Sequence, residues 1–265
     1  MPATILQRIV TTKRDEIASA KAARPLTELR SRIRSLSPPR DFHKAIATDS
    51  PSIRLIAEIK KASPSAGLIR ADFDPIRIAN VYAESGASAL SVLTDRSYFQ
   101  GELAFIEAVK KEVPLPVLRK DFIIDAYQVD ESRAAGADAV LLITAILAAS
   151  QIDEYAAQAH ELGMTSLIEI HDERELEIAL PLINPARRTI LGINNRDLAV
   201  QQIDLSTTKR LAALLPTGTL FAAESGLKTR DDVLAMHHVG ASAVLIGETF
   251  MRAPDIAAKV RELLG

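Results

Sequence analysis

The feature that most constrains this chain is an eightfold alternation of two textures. From about Ile53 onward, short β-branched apolar runs that end in polar residues are each followed by a longer segment of helical period. The runs are Ile53–Ile59, Ala87–Leu93, Pro116–Leu118, Ala137–Ile143, Thr165–Ile168, Thr189–Ile193, Thr219–Ala223 and Ala241–Ile246. Strands alternating with helices build a parallel sheet, and eight units of about 25 residues predict a closed (β/α)8 barrel of the TIM type. An internal echo supports this. Gly86-Ala87-Ser88-Ala89, Gly136-Ala137-Asp138-Ala139 and Gly240-Ala241-Ser242-Ala243 each read as a helix C-cap glycine, then alternating alanines that let a strand start pack tightly. The competing open, doubly wound sheet lacks its GxGxxG fingerprint here.

Residues before about Pro51 do not fit the alternation. Ile5, Leu6, Ile9, Val10 and Ile17 predict an amphipathic first helix, with Lys13, Arg14, Asp15 and Glu16 as a solvated stretch between them. A second helical segment covers Thr27–Arg34, and Ser37-Pro38-Pro39 breaks it. Some fifty residues make a thin core alone, so 1–50 is expected to be a helical extension packed on the barrel of 51–265, with 1–265 a single domain.

Composition narrows the function. The chain has 265 residues, 48% hydrophobic and 25% charged, enough for one large core. A formal net charge of −2 and a pI near 6.2 suggest neither a nucleic-acid partner nor a polybasic membrane anchor. The absence of Cys excludes disulfides, thiol nucleophiles and thiolate metal sites. No apolar run reaches the roughly 18 residues of a membrane span, and the N-terminus has no signal pattern. A cytoplasmic monomer is the expectation.

In a closed barrel, catalytic groups sit at the carboxyl ends of the strands. Here those ends are charged. Glu58 and Lys60 finish the first strand two residues apart, so both should point into the barrel mouth while Ile59 faces the helices. Lys120 ends the third strand, Glu169 the fifth, Asn194 the sixth and Glu224 the seventh. Any one could be an ordinary polar strand end, but two lysines, three glutamates and an asparagine on one rim indicate a reaction or a ligand. Ser225-Gly226 and Gly247-Glu248 supply small residues whose backbone can approach an anion. Thr249-Phe250-Met251 could start a short helix beside them. Glu248 is expected to turn its side chain away and offer only its N–H.

The segments Glu58-Ile59-Lys60-Lys61-Ala62-Ser63-Pro64-Ser65, Leu93-Thr94-Asp95, Tyr98-Phe99-Gln100-Gly101 and Leu118-Arg119-Lys120-Asp121-Phe122-Ile123 resemble the indole-3-glycerol phosphate synthase family. Ile193-Asn194-Asn195-Arg196-Asp197-Leu198 and Glu224-Ser225-Gly226 complete a match that runs in the family's order along nearly the whole chain. The resemblance implies a carboxy-lyase of tryptophan biosynthesis. It would act without cofactor or metal on a phosphorylated small molecule, 1-(2-carboxyphenylamino)-1-deoxyribulose 5-phosphate. It also implies catalytic roles for Glu58, Lys60, Lys120, Glu169, Asn194 and Glu224. Lys120 would protonate the ketone oxygen, and Lys60 would assist loss of hydroxide or grip the carboxylate. Glu58 or Glu169 would be the base, a choice the sequence leaves open. Phe99, Phe122 and Leu141 would wall the anthranilate ring. Ser63, Gly226, Gly247 and the backbone of Glu248 would take the phosphate. Ser225 would also contact substrate, and Arg196 would meet the substrate carboxylate or an internal acid. Three rivals stay open on sequence alone: phosphoribosylanthranilate isomerase, whose cysteine base is missing here; a Schiff-base aldolase using Lys60 or Lys120; and a non-catalytic phosphate-binding barrel.

Overall fold

A computed structural model describes residues 4–47, 52–197 and 201–265. The proposed junction at 50/51 and Leu198 lie outside the described residues. Eight parallel strands close into a barrel: β1 Arg54–Ile59, β2 Ala89–Leu93, β3 Val117–Lys120, β4 Ala139–Ile143, β5 Thr165–Ile170, β6 Thr189–Asn194, β7 Phe221–Glu224 and β8 Ala243–Ile246. Each strand pairs with its sequence neighbours, and β1 closes the ring against β8.

All eight expected strands are present, but several are displaced toward the carboxyl end. The alanines at 87, 137 and 241 precede their strands because they finish helix caps. Gly86, Gly136 and Gly240 have φ of 92°, 95° and 92°. The next N–H then reaches back to close the helix, from Ala87 to the Tyr82 carbonyl at 3.0 Å and from Ala137 to that of Ser132 at 3.0 Å. This is the Schellman cap, which needs a left-handed residue and so favours glycine. At the other end the ladder continues through the polar residues. Lys120 pairs with Leu93, Glu169 with Ile143 and Asn194 with Glu224. Backbone pairing does not depend on side-chain polarity, so apolar runs understate where strands end.

Alternation sorts the side chains. Leu55, Ala57 and Ile59 join the layer between barrel and helices, while Ile56 belongs to the cluster inside the barrel. The outer layer is covered by α4 Pro75–Glu84, α5 Ala104–Glu112, α6 Ala126–Ala134, α7 Ala149–Glu161, α8 Glu173–Ala179, α9 Ser206–Ala212, α10 Arg230–His238 and α12 Ile256–Leu264. Side-chain caps start several of them. Asp74, Asp125, Asp172, Thr229 and Asp255 each accept a backbone N–H of the first turn. The five-residue helix α11 Glu248–Arg252 follows β8 directly. After β1, residues Ala62–Ser63 and Gly67–Leu68 form a small antiparallel hairpin that the sequence reading did not anticipate.

The extension straps the barrel from mouth to base. Helix α1 Ile5–Ala23 begins with a capping box between Thr4 and Gln7 and lies at the mouth. Helix α2 Leu26–Ser35 packs on α6, and α3 Phe42–Ile46 buries Phe42 and Ile46 completely beneath the strand starts. One expectation is overturned: Lys13 is not solvated but 3% exposed. Local hydropathy sees only chain neighbours such as Glu16, whereas the two buried partners of this ammonium, Asp95 and Asp121, come from distant loops. Among the described residues no helix is long and apolar enough to cross a membrane.

Candidate active site

A cavity of about 610 Å³ opens at the carboxyl ends of the strands, in the range of small-molecule sites. Every residue singled out from the sequence lines it: Glu58, Lys60, Ser63, Phe99, Lys120, Phe122, Leu141, Glu169, Asn194, Arg196, Glu224, Ser225, Gly226, Gly247 and Glu248. The sequence reading missed Ile5, Leu6 and Ile9 of α1 and the cations Lys228, Arg252 and Lys259, which line it too. The apolar stripe of α1 was visible in the sequence. Its destination was not.

The floor is a cluster of alternating charge. Lys60 Nζ lies 2.7 Å from Glu58 Oε1, as expected for two inward residues flanking an outward Ile59. Lys120 Nζ stands 2.9 Å from Glu169 Oε2 and 3.5 Å from Glu224 Oε2. Burial works against the Lys120 charge, but the carboxylates of Glu169, Glu224 and Glu58 outweigh it and hold the ammonium well above the ordinary lysine range. Burial also opposes ionisation of Glu169. Lys120 and His171 overcome it, so Glu169 stays far below the usual carboxylate range.

His171, another residue without an assigned role, sits behind Glu169. Its Nε2 is 3.2 Å from Glu169 Oε1 and its Nδ1 2.8 Å from Glu175 Oε2. Burial lowers its pKa, but hydrogen bonds to those two carboxylates dominate and push it up to about 10. Glu224 differs from Glu169. Burial raises it, the negative charges of Glu169 and Glu58 add to that, and Lys120 offsets only part, so it is pushed up to about 8. Of the two carboxyls beside Lys120, Glu224 therefore holds a proton more readily.

Two glycines make room for these carboxyls. A Cβ built on Gly192 of β6 would fall on Glu224 Oε1 and stand 3.3 Å from Leu167 Cδ1. One on Gly247 would stand 2.8 Å from Glu58 Cβ and 3.0 Å from its Cδ, closer still to Oε1. The close approach at Gly247 is thus to Glu58, a contact the sequence reading did not foresee.

The β7 loop turns through Ser225 and Gly226, both left-handed at φ 66° and 84°. Asn195 fixes that turn: its Nδ2 donates to the carbonyls of Glu224 at 3.0 Å and Ser225 at 3.2 Å. Asn194 Oδ1 accepts the Arg196 N–H at 3.0 Å. The expectation that the Glu248 side chain turns away from the cavity fails. Its carboxylate meets Arg196 Nη2 at 3.3 Å and Arg252 Nε at 2.9 Å across the rim, where the two guanidinium groups attract it. Arg196 thus has an internal acid as partner and also donates to Ser65 Oγ at 3.3 Å.

On the opposite wall the Phe99 and Phe122 rings lie 6.0 Å apart at 40°, near the buried Leu141. The cavity therefore has an apolar wall, a charged floor and a rim of cations and small residues. Among the described residues no group of three His, Cys, Asp or Glu could hold a metal ion.

The family model for indole-3-glycerol phosphate synthase matches residues 6–263. The chain is 50% identical over 263 residues to an indole-3-glycerol phosphate synthase of Albidiferax ferrireducens, covering 98% of this chain and 97% of that one. It is 49% identical to one of Rhodospirillum rubrum, covering 98% and 99% respectively. In fold alone it is similar to a 3-hexulose-6-phosphate synthase from Salmonella typhimurium. The TM-score is 0.63 and the identity 16%, over 80% of this chain and 96% of that one. With the motifs of the strand ends converging on one cavity and a match along nearly its whole length, the chain belongs to the indole-3-glycerol phosphate synthase family, carboxy-lyases of tryptophan biosynthesis.

Proposed function

We propose that the cavity converts 1-(2-carboxyphenylamino)-1-deoxyribulose 5-phosphate to indole-3-glycerol phosphate, with Lys120 as the acid of ring closure. The observation that carries this is the partly buried Lys120 ammonium between Glu169 and Glu224, facing a cavity with an aromatic wall. As the ring carbon bearing the carboxylate attacks the ketone, a carbon–carbon bond forms and charge builds on the ketone oxygen. Lys120 gives that oxygen its proton. Carbon dioxide then leaves, and its bonding pair restores the ring. The new hydroxyl departs as water with a proton from Lys60, while a proton leaves the methylene carbon next to nitrogen.

Glu58 is the base for that last step. Glu169 is held ionised by two cations and is the poorer acceptor. Glu224, which takes a proton more readily than Glu169, donates to a ribulose hydroxyl, and Asn194 orients the same chain. Phe99, Phe122 and Leu141 hold the aryl ring. Ser63 and the backbone at Ser225, Gly226, Gly247 and Glu248 receive the phosphate, with Arg196 at the rim. A lysine kept charged this firmly is a poor amine nucleophile, which disfavours imine chemistry.

No cofactor enters this scheme. Extension and barrel act as one domain, and the near-neutral, Cys-free chain works as a cytoplasmic monomer. Appearance of indole fluorescence from the substrate tests the activity. Lys120→Ala should lower turnover by several orders of magnitude and leave inhibition by inorganic phosphate nearly unchanged. An inactive parent protein, or a variant within tenfold of it, would refute the assignment.

A further inference from the structure

The local charge pattern puts Lys13 in solvent, yet its Nζ lies 2.9 Å from Asp121 Oδ1, 3.0 Å from Asp95 Oδ2 and 2.6 Å from Glu16 Oε2. Asp95 and Asp121 are 0% and 3% exposed. Burying three charges together is costly unless their geometry is good, so the arrangement invites a functional explanation.

The two buried carboxylates each hold a wall residue of the cavity. Asp95 Oδ1 accepts the N–H groups of Tyr98 at 2.8 Å and Phe99 at 3.2 Å. Asp121 Oδ1 accepts the N–H of Phe122 at 2.8 Å, and its Oδ2 accepts from Thr94 Oγ1 at 2.6 Å and Arg119 Nη2 at 3.0 Å. Asp121 also follows Lys120 directly in the chain. On the helix side, Ile9 is one turn before Lys13, with Ile5 and Leu6 a further turn back, and all three line the cavity. One ammonium therefore joins the apolar face of α1, the loop that carries Phe99 and the strand end that carries Lys120 and Phe122.

We infer that Lys13 is a positioning residue for the reaction: it holds the apolar face of α1 against Phe99 and Phe122, so that the aromatic end of the substrate meets a preformed wall. This rests on the ring-closure reading above. The helix does not depend on Lys13 to stay docked. Thr12 Oγ1 and Tyr98 Oη are 2.9 Å apart, Ser97 Oγ donates to Glu16 Oε1 at 3.0 Å, and Lys21 pairs with Asp125 at 2.7 Å. Tyr127 Oη donates to the carbonyls of Ala20 and Arg24 at 3.1 and 2.8 Å.

What Lys13 adds is register. Burial already pushes the Asp95 carboxyl up, and Lys13 is the cation that opposes this. Without it burial of the Asp95 charge is opposed chiefly by the backbone N–H groups it accepts, and its grip on the Phe99 turn weakens. The phosphate end, at the β7 and β8 loops, lies on the far side of the barrel mouth and should not respond.

Lys13→Met keeps the unbranched apolar stem, one atom shorter, and removes the charge. The expected result is a KM at least tenfold higher, a similar loss of affinity for anthranilate in a fluorescence titration, and an inhibition constant for inorganic phosphate within twofold of the parent. A merely structural clamp would lower the melting temperature and leave that split unmade. A folded Lys13→Met protein with KM and anthranilate affinity within twofold of the parent overturns the inference. Should Lys13→Met fail to fold, Asp95→Asn decides. It retains an acceptor for the Tyr98 and Phe99 N–H groups but weakens the tie to Lys13, so KM should rise several-fold with phosphate inhibition unchanged. An unaltered KM overturns the inference. If the parent protein does not turn over the substrate, the ring-closure reading falls, and the anthranilate titration still judges Lys13.

Discussion

Replacing Gly247 by alanine separates two accounts of the last barrel loop. If that glycine exists to let backbone donors reach a phosphate, a methyl group there should weaken substrate binding and raise KM. The geometry says otherwise. The added Cβ would stand 2.8 Å from Glu58 Cβ and 3.0 Å from its Cδ, where carbon atoms at rest keep about 3.5–4.0 Å. Glu58 would have to retreat by roughly 0.7–1 Å, breaking its 2.7 Å pairing with Lys60.

Gly247 has φ −129°, outside the left-handed region that favours glycine, so the obstacle at issue is the contact with Glu58. A displacement near 1 Å of a reacting group costs on the order of 100-fold in rate, about 2.7 kcal/mol of barrier. Gly247→Ala should therefore lower kcat about 100-fold and change KM less than threefold, as read from the rate of indole fluorescence at varied substrate. Gly247→Val should be worse in the same sense. A variant whose KM rises while kcat holds would show that the close neighbour in the working enzyme is the phosphate, and the reasoning about Glu58 would be refuted.

Other outcomes follow from the same geometry. Glu58→Gln keeps the shape and removes the charge that pairs with Lys60, so turnover should fall by at least about 100-fold; a loss under fivefold in steady-state rates would remove Glu58 as the base. Gly192→Ala should push the Glu224 carboxyl out of its slot and lower kcat about tenfold with little loss of stability, which kinetics and thermal melting together would show. Glu224 is raised from 4.5 to about 8, so the folded protein keeps a proton there that the unfolded chain releases. The associated stability is present below pH 4.5 and is lost as pH rises to about 8. Glu224→Gln should flatten the fall in urea midpoint between pH 5 and 8, a change on the order of a few kcal/mol at most; an unchanged slope would argue that Glu224 is ionised throughout.

The sequence by itself determined the barrel and the charged strand ends at its mouth. Both are matters of period. A strand buries alternate residues, so Glu58 and Lys60 must share a side, and eight apolar runs spaced by helices leave few topologies. Charged residues closing several of those runs mark the catalytic end because nothing in the core would tolerate them. Tertiary structure alone decided which charges meet. No local pattern shows that Glu169 has cations on both sides while Glu224 shares one, and their pKa values part for that reason. Nor could it show that Gly247 abuts Glu58, that Glu248 reaches back to Arg196, or that Lys13 leaves solvent for a buried pair of aspartates. Each of these depends on through-space contacts between segments far apart in the chain, where Coulomb forces and steric exclusion act on distance rather than on sequence separation.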